Sequence, residues 1–202
     1  MFDLVGIIIK GGPVMVPLIL CSVISLAVVI ERILFWRRIS VRQTADAMLA
    51  LVETGEVIKA VNLGREADSP LARVLATGLA HRNPSPAKAL EVAAQKEIPV
   101  LKRRLTILDT IITLAPLLGL LGTVVGMIGS FDIMSQAGLG QPHAVTGGVA
   151  EALIATATGL LIAILTLVPY NYFTSRANEE MEEIEYYASR LELLLGEAVE
   201  KN

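Results

Sequence analysis

Three long apolar segments dominate the pattern of hydrophobic positions along the chain. They run from residue 13 to 36, from 107 to 134 and from 149 to 173. Each reaches the roughly 20 residues that an α-helix needs to cross about 30 Å of hydrocarbon. Pro116 and Pro169 interrupt the second and third segments, and membrane helices tolerate proline where neighbouring groups satisfy the carbonyls that it frees. The pattern therefore predicts three transmembrane helices.

The polar segments also show helical patterning. The stretch 37–106 contains several helical pieces. They are separated by Gly55, Gly64 and the Pro84 to Pro86 region. We expect the last piece to continue into the second span. The tail 174–202 is expected to continue the third span, because apolar residues recur there every three or four positions. We therefore predict an all-α membrane protein with three transmembrane helices, the second and third extended into the cytoplasm, plus a cytoplasmic helical region. The tail's apolar stripe comprises Met181, Ile184, Ala188, Leu191 and Leu195.

The distribution of basic residues predicts the orientation in the membrane. Twelve Lys and Arg residues lie in 37–106 and three in 174–202, whereas the connection 135–148 has none and Lys10 stands alone before the first span. Basic residues accumulate on the cytoplasmic side of a membrane. We therefore predict an N-terminus on the outer side with an interfacial segment at 1–12, an external loop at 135–148, and a cytoplasmic C-terminus.

Composition excludes several classes of protein. Hydrophobic residues make up 53% of the chain and charged residues only 18%, against about a quarter charged in soluble domains. The net charge of −3 and the lack of a basic stripe argue against nucleic acid. His81 and His143 stand alone and Cys21 is the single cysteine, so neither a metal site nor a disulfide is expected. No nucleophile, base and orienting group can be assembled, so we expect neither an enzyme nor a cofactor.

A stripe of glycines marks one face of the second span. Their spacings of three, four and three residues keep them on a single side of a helix. Small residues let two membrane helices approach closely where no hydrophobic force drives association. We therefore expect the second and third spans to pack tightly against each other. The stripe comprises Gly119, Gly122, Gly126 and Gly129, and the third span offers Gly148, Ala152, Ala155, Thr156, Gly159 and Ala163.

Glu151, Thr123 and Thr156 are the candidate pore-lining residues. An ionisable Glu151 inside a span must face a polar cavity, carry a proton part of the time or meet a cation of another chain, unless it hydrates at the outer interface. Thr123 and Thr156 lie about 13 Å and about 10 Å below the outer ends of their helices. Hydroxyls at one depth form a polar ring if the subunit repeats around an axis, although a helical threonine can also bond its own i−4 carbonyl. Glu151 and Thr156 are about 140° apart on the helix and cannot share a narrow stripe.

Two segments carry a family resemblance. The sequences LAPLLGLLGTVVGMIGSF at 114–131 and GGVAEALIATATGLLIAILTLVPYNYF at 147–173 resemble the ExbB, TolQ and MotA family of proton-channel subunits, most closely its ExbB and TolQ branch. Thr123 and Thr156 match the family's pore threonines, and Glu151 matches its pore glutamate. The resemblance implies a homo-pentamer around the single spans of two copies of an ExbD-like or TolR-like partner, whose membrane aspartate takes up and releases protons.

Two functions follow as alternatives. The first is an inner-membrane ion-channel and motor subunit that couples the proton motive force to work on a periplasmic TonB-like or TolA-like energy transducer, as the resemblance implies. The second is a membrane scaffold subunit that holds a partner helix without conducting ions. Both H⁺ and Na⁺ stay open as the coupling ion, and the absence of a cluster of carboxyl or hydroxyl groups beyond the threonines favours H⁺.

Overall fold

The computed structural model describes residues 6, 10–39, 42–82, 85–137 and 142–200, and throughout these ranges the regular structure is helical. This confirms the prediction of an all-α protein. There are seven long helices in the described part of the chain. They are α1 (Met15–Arg38), α2 (Arg42–Glu53), α3 (Val57–Glu66), α4 (Pro70–Ala80), α5 (Pro86–Leu101), α6 (Leu105–Ala137) and α7 (Pro142–Glu200).

The chain divides into two compact units. The first unit contains Met1–Ile30 and Arg104–Tyr172, and the second contains Glu31–Arg103 and Phe173–Asn202. The first unit therefore holds most of α1, all of α6 and the first part of α7. The second unit holds α2 to α5 together with the ends of α1 and α7.

Helices α1, α6 and α7 are long and apolar enough to cross a membrane, which confirms the three predicted spans. Only 28%, 28% and 33% of their most apolar stretches are buried within the chain. The remaining apolar surface would be costly to expose to water, because exposed apolar patches of this size need a covering of lipid or protein. A multi-pass membrane protein satisfies that requirement.

Inside the first unit, a small apolar core and one buried hydrogen bond connect α1 to the other spans. Met15, Leu18 and Cys21 of α1 pack with Ile111 of α6 and Ile162 of α7. In addition, the hydroxyls of Ser25 and Thr166 are 2.8 Å apart. The Thr166 hydroxyl donates to the Ile162 carbonyl, so Ser25 is left to donate to Thr166. This buried hydrogen bond holds α1 against α7.

The second unit is a helical bundle with its own core. Ser69 accepts from the amide of Ala72 and caps α4, whose first residue is Pro70, as is common at helix starts. Across the bundle, the Arg73 guanidinium donates two hydrogen bonds of 3.0 and 2.7 Å to the Glu97 carboxylate. The end of α7 adds one face to the core. The buried residues of that face are Ala177, Ile184, Tyr187 and Leu191.

The connections differ from the prediction at two places. Helix α5 ends at Leu101, and Lys102 to Arg104 form a turn in which Arg104 adopts a left-handed φ of 63°. The last helix of the polar stretch therefore does not continue into the second span. Helix α7 already begins at Pro142 and α6 ends at Ala137, so much of the predicted 135–148 loop is helical. Most of the predicted interfacial segment 1–12 lies outside the described residues.

Candidate functional site

The contact between α6 and α7 is a seam of small residues at which the two backbones nearly touch. A Cβ placed on Gly119 would lie 3.1 Å from both the Ala155 carbonyl oxygen and the Thr156 Cα. A Cβ on Gly122 would lie 2.4 Å from the Ala155 Cβ, and one on Gly159 would lie 2.4 Å from the Ala115 carbonyl oxygen. No larger side chain fits at these three glycines without moving a helix.

The seam continues toward the outer ends of both helices. A Cβ on Gly126 would lie 2.7 Å from the Gly148 carbonyl oxygen, and one on Gly148 would lie 2.1 Å from the Ser130 hydroxyl oxygen. Gly129 differs from the other three glycines of the stripe, because a Cβ there would meet no atom within 4 Å. Within this chain, Gly129 therefore lies outside the α6–α7 contact that the sequence predicts for it.

Thr156 lies at the centre of the seam. Its hydroxyl is 3.1 Å from the Gly119 carbonyl oxygen on α6 and 3.1 Å from the Ala152 carbonyl oxygen on its own helix. The hydroxyl therefore uses its own i−4 carbonyl, as helical threonines commonly do, and at the same time bridges to the second span. This bridge is possible because glycine at 119 admits the α7 backbone.

Thr123 lies one helical turn from Gly119 and hence about 6 Å from the level of Thr156 along the helix axis. The side chain is half-buried, and its hydroxyl donates to the Leu120 carbonyl oxygen at 2.6 Å. The two threonines are therefore near one another in depth, and each hydroxyl is bonded to backbone rather than to the other hydroxyl. Both keep oxygen lone pairs that can accept a hydrogen bond.

Glu151 lies beside the residues that precede α1. A Cβ on Gly12, just before α1, would lie 1.7 Å from the Glu151 Oε1 atom, so the carboxyl group occupies the space that the glycine leaves open. Gly12 has a φ of +72°. Glu151 thus lies beside Gly12, whereas Thr156 contacts Gly119 of α6, in keeping with their separation around the helix.

The Gly12 contact gives a prediction for Gly12→Ala. The left-handed φ alone costs an alanine about 1 kcal/mol, and the new methyl group must also displace the Glu151 carboxyl. We expect the loss of thermal stability to exceed that of Gly55→Ala, because Gly55 has a similar φ of +81° with no atom within 4 Å of its Cβ position. Thermal unfolding of the purified variants measures the difference.

The matched background for this prediction is Glu151→Ala, which removes the carboxyl group. In that background the extra cost of Gly12→Ala should disappear, because the two substitutions then share no contact. Equal losses for Gly12→Ala and Gly55→Ala in the wild-type background would show that Glu151 does not occupy this space.

The three candidate pore residues, Thr123, Glu151 and Thr156, offer two hydroxyl groups and one carboxyl group. Among the described residues, no group of three or more His, Cys, Asp or Glu side chains could hold a metal ion. Lys and Arg are absent from the sequence between Arg104 and Arg176. Hydroxyl and carboxyl groups can bind a proton and hand it on.

Comparison with known proteins decides the family. The model of the MotA/TolQ/ExbB proton channel family matches residues 66–186, a range that contains Thr123, Glu151 and Thr156. The chain belongs to this family. It is 39% identical over 191 residues to the biopolymer transport protein ExbB-like 3 of Synechocystis sp., covering 91% of both chains.

Two further relatives carry the names ExbB and TolQ. The ExbB-like 1 protein of the same organism is 37% identical over 198 residues, covering 93% of this chain and 77% of its own. The Tol-Pal system protein TolQ of Haemophilus influenzae is 40% identical over 91 residues, covering 45% of this chain and 40% of its own. Membership in the MotA/TolQ/ExbB family supports a proton-channel role in energy transduction, in a multi-pass inner-membrane protein that is not an enzyme.

Sequence reasoning missed three features of this family member. Gly12 was not connected to Glu151, because nothing in the pattern says which residue of the first span lies beside the third. The Ser25–Thr166 hydrogen bond had a signal, since both hydroxyls interrupt apolar runs. The burial of Glu180 also had a signal in the sequence, because Glu180 lies between Ala177 and Ile184 on the buried face of α7.

Proposed function

We propose that this chain is the channel subunit of a motor that couples the proton motive force to mechanical work, together with an ExbD-like or TolR-like single-span partner. The work is done on a periplasmic TonB-like or TolA-like transducer. The observation that carries the proposal is the Thr156 hydroxyl, which bridges α6 and α7 within the range that the family model matches, at the position for which the resemblance implies a pore threonine.

The side chains of the spans support a pathway that needs a partner. Thr123, Thr156 and Glu151 provide hydroxyl groups and one carboxyl group, and the sequence provides no Lys or Arg between Arg104 and Arg176. A partner with its own titratable group in the membrane completes the relay. The driving force is adequate, because one charge that crosses 100 mV gains about 2.3 kcal/mol.

The exposed apolar surface supports assembly into a larger complex. Leu117, Leu121 and Val124 of α6 and Leu153 and Leu160 of α7 are exposed in the single chain. In the proposed complex, five copies surround the spans of two partner chains, so part of this surface packs between copies and part faces lipid. The N-terminus is periplasmic and the C-terminus cytoplasmic in this arrangement, in keeping with the basic residues of the polar stretches.

Reconstitution tests the proposal. The chain is co-expressed with its single-span partner, purified and inserted into vesicles that contain a pH-sensitive dye, and an inward proton gradient is applied. We expect proton flux from the complex and no flux from either chain alone. Native mass spectrometry of the same sample measures the stoichiometry of the two chains. A stable complex that conducts no protons would replace the motor with the scaffold function.

A further inference from the structure

Four buried side-chain atoms without a hydrogen-bond partner lie in the second unit. They are Arg32 Nη1, Trp36 Nε1, Thr174 Oγ1 and Glu180 Oε1, and they include every such atom among the described residues. Arg32 and Trp36 lie one turn apart near the end of α1, and Thr174 and Glu180 lie less than two turns apart on α7. The Arg176 guanidinium carbon is 5.7 Å from the centre of the Trp36 ring, so these two helix segments are in contact.

Glu180 is the group among the four whose burial is hardest to explain as packing. The residue is 5% exposed and lies on the same face of α7 as the core residues Ala177 and Ile184. Its carboxyl group makes no hydrogen bond or ion pair within the part of the chain that the structure describes. A buried carboxylate without a partner is strongly disfavoured, so such a group neutralises by holding a proton.

The basic groups around Glu180 are already engaged with other acids. Arg176 donates to Glu179 at 3.0 Å, and Arg42 of α2 pairs with Glu183. Arg32 of α1 makes two bonds of 2.8 Å to Glu31, which leave its Nη1 atom without a partner. None of these cations lies in direct contact with the Glu180 carboxyl group.

The titration of Glu180 falls near neutral pH. The pKa of the Glu180 carboxyl is raised to about 7, chiefly by burial and also by the nearby negative charge of Glu183, against opposing contributions from Arg176 and Arg42. A proton acceptor is most useful when its pKa lies close to the pH at which it works. The site can therefore exchange a proton under physiological conditions.

We propose that Glu180 is a proton-binding site of the second unit, which holds a proton in the packed structure and releases it to water that hydrates Arg32, Trp36 and Thr174. On release, the O–H bond of the carboxyl group breaks, the proton passes to a water molecule, and the carboxylate is left facing Arg176 and Arg42. The proposal that Glu180 binds a proton does not depend on the proposed function. The role of Glu180 as an acceptor on the cytoplasmic side of the channel rests on the proposed function.

Trp36 is the only tryptophan in the sequence and reports on this site. The full-length chain in lipid nanodiscs is titrated from pH 5 to pH 9, and Trp36 fluorescence is recorded. We expect a single step with a midpoint near pH 7, because an ionised Glu180 draws Arg176 away from the Trp36 ring. Glu180→Gln should remove the step, and Glu185→Gln, a change at an exposed carboxyl group of the same helix, should retain it.

Thermal unfolding provides a second measurement on the same samples. The folded chain holds the Glu180 proton more tightly than the unfolded chain, so the contribution of this proton to stability is full at low pH and is lost as the pH rises from about 4.5, the usual pKa, to about 7. Glu180→Gln should match the wild type at pH 5 and unfold at least about 2 °C higher at pH 8.

The proposal fails if neither measurement depends on Glu180. A fluorescence step that persists in Glu180→Gln, or no step together with equal melting temperatures at pH 8, would show that Glu180 binds no proton in this range. Neither measurement needs the partner chain or a membrane potential. A negative result here therefore leaves the flux experiment unaffected, and the absence of flux leaves this titration unaffected.

Discussion

Gly159→Ala is expected to separate α6 from α7 and to destabilise the first unit by about 3 kcal/mol, the upper range for overpacking a tight contact. The new Cβ would lie 2.4 Å from the Ala115 carbonyl oxygen and 3.2 Å from the Gly119 Cα and amide nitrogen. All three are backbone atoms, which cannot rotate away as the end of a side chain can. The helices themselves must therefore move.

Thermal unfolding of the purified chain in detergent measures the effect of Gly159→Ala. Gly129→Ala is the matched control, because it makes the same chemical change within a spanning helix at a position where the Cβ meets no atom within 4 Å. Alanine is also the better helix former by about 1 kcal/mol. Gly129→Ala should therefore leave stability unchanged or raise it.

The outcome that would contradict this prediction is equal stability of the two glycine variants. It would mean that α6 and α7 are not in backbone contact at Gly159, and the bridge from Thr156 to Gly119 would then lose its structural basis. A loss in Gly129→Ala alone would indicate instead that Gly129 packs against another copy of the chain.

The spans could be predicted from the sequence because they follow from local pattern alone. Apolar length identifies α1, α6 and α7, and the glycine spacing identifies the face of α6 that meets α7. The turn at Lys102–Arg104 could not be predicted, because Arg104 is an unlikely residue for a left-handed φ and glycine, the usual signal, is absent. The helical start at Pro142 was likewise hidden by a segment rich in glycine and polar residues.

A contact of the candidate site could be predicted from the sequence only where both contacting residues belong to a periodic stripe of small residues. Thr156 fulfils that condition, since Gly119 and the small residues of α7 appear in the sequence at matching spacings. The position of Glu151 beside Gly12 depends on how α1 is placed, and no periodic signal reports a contact between helices so distant in sequence. An acidic run such as 179–185 is typical of a solvated helix face, but Glu180 is buried, because it lies on the same face as Ala177, Ile184 and Tyr187.

Thr156→Val is expected to reduce proton flux at least about tenfold while the complex stays assembled. Valine keeps the shape of threonine and removes the hydroxyl group that bonds to the Gly119 and Ala152 carbonyl oxygens. A tenfold loss corresponds to a barrier higher by about 1.4 kcal/mol, which is the size of one lost hydrogen bond. The flux into vesicles measures the effect, and Thr156→Ser should restore most of it.

Thr158→Val is the matched control for Thr156→Val. Thr158 lies two residues further along α7, is also half-buried, and its hydroxyl bonds the Ile154 carbonyl oxygen of its own helix at 2.8 Å. If the Thr156 hydroxyl belongs to the pathway, only Thr156→Val should lose flux. Equal losses would assign the effect to helix packing, and full flux from an intact Thr156→Val complex would mean that protons cross without this hydroxyl. Because both hydroxyls donate to an i−4 carbonyl, the bridge to Gly119 is the contact that separates the two positions.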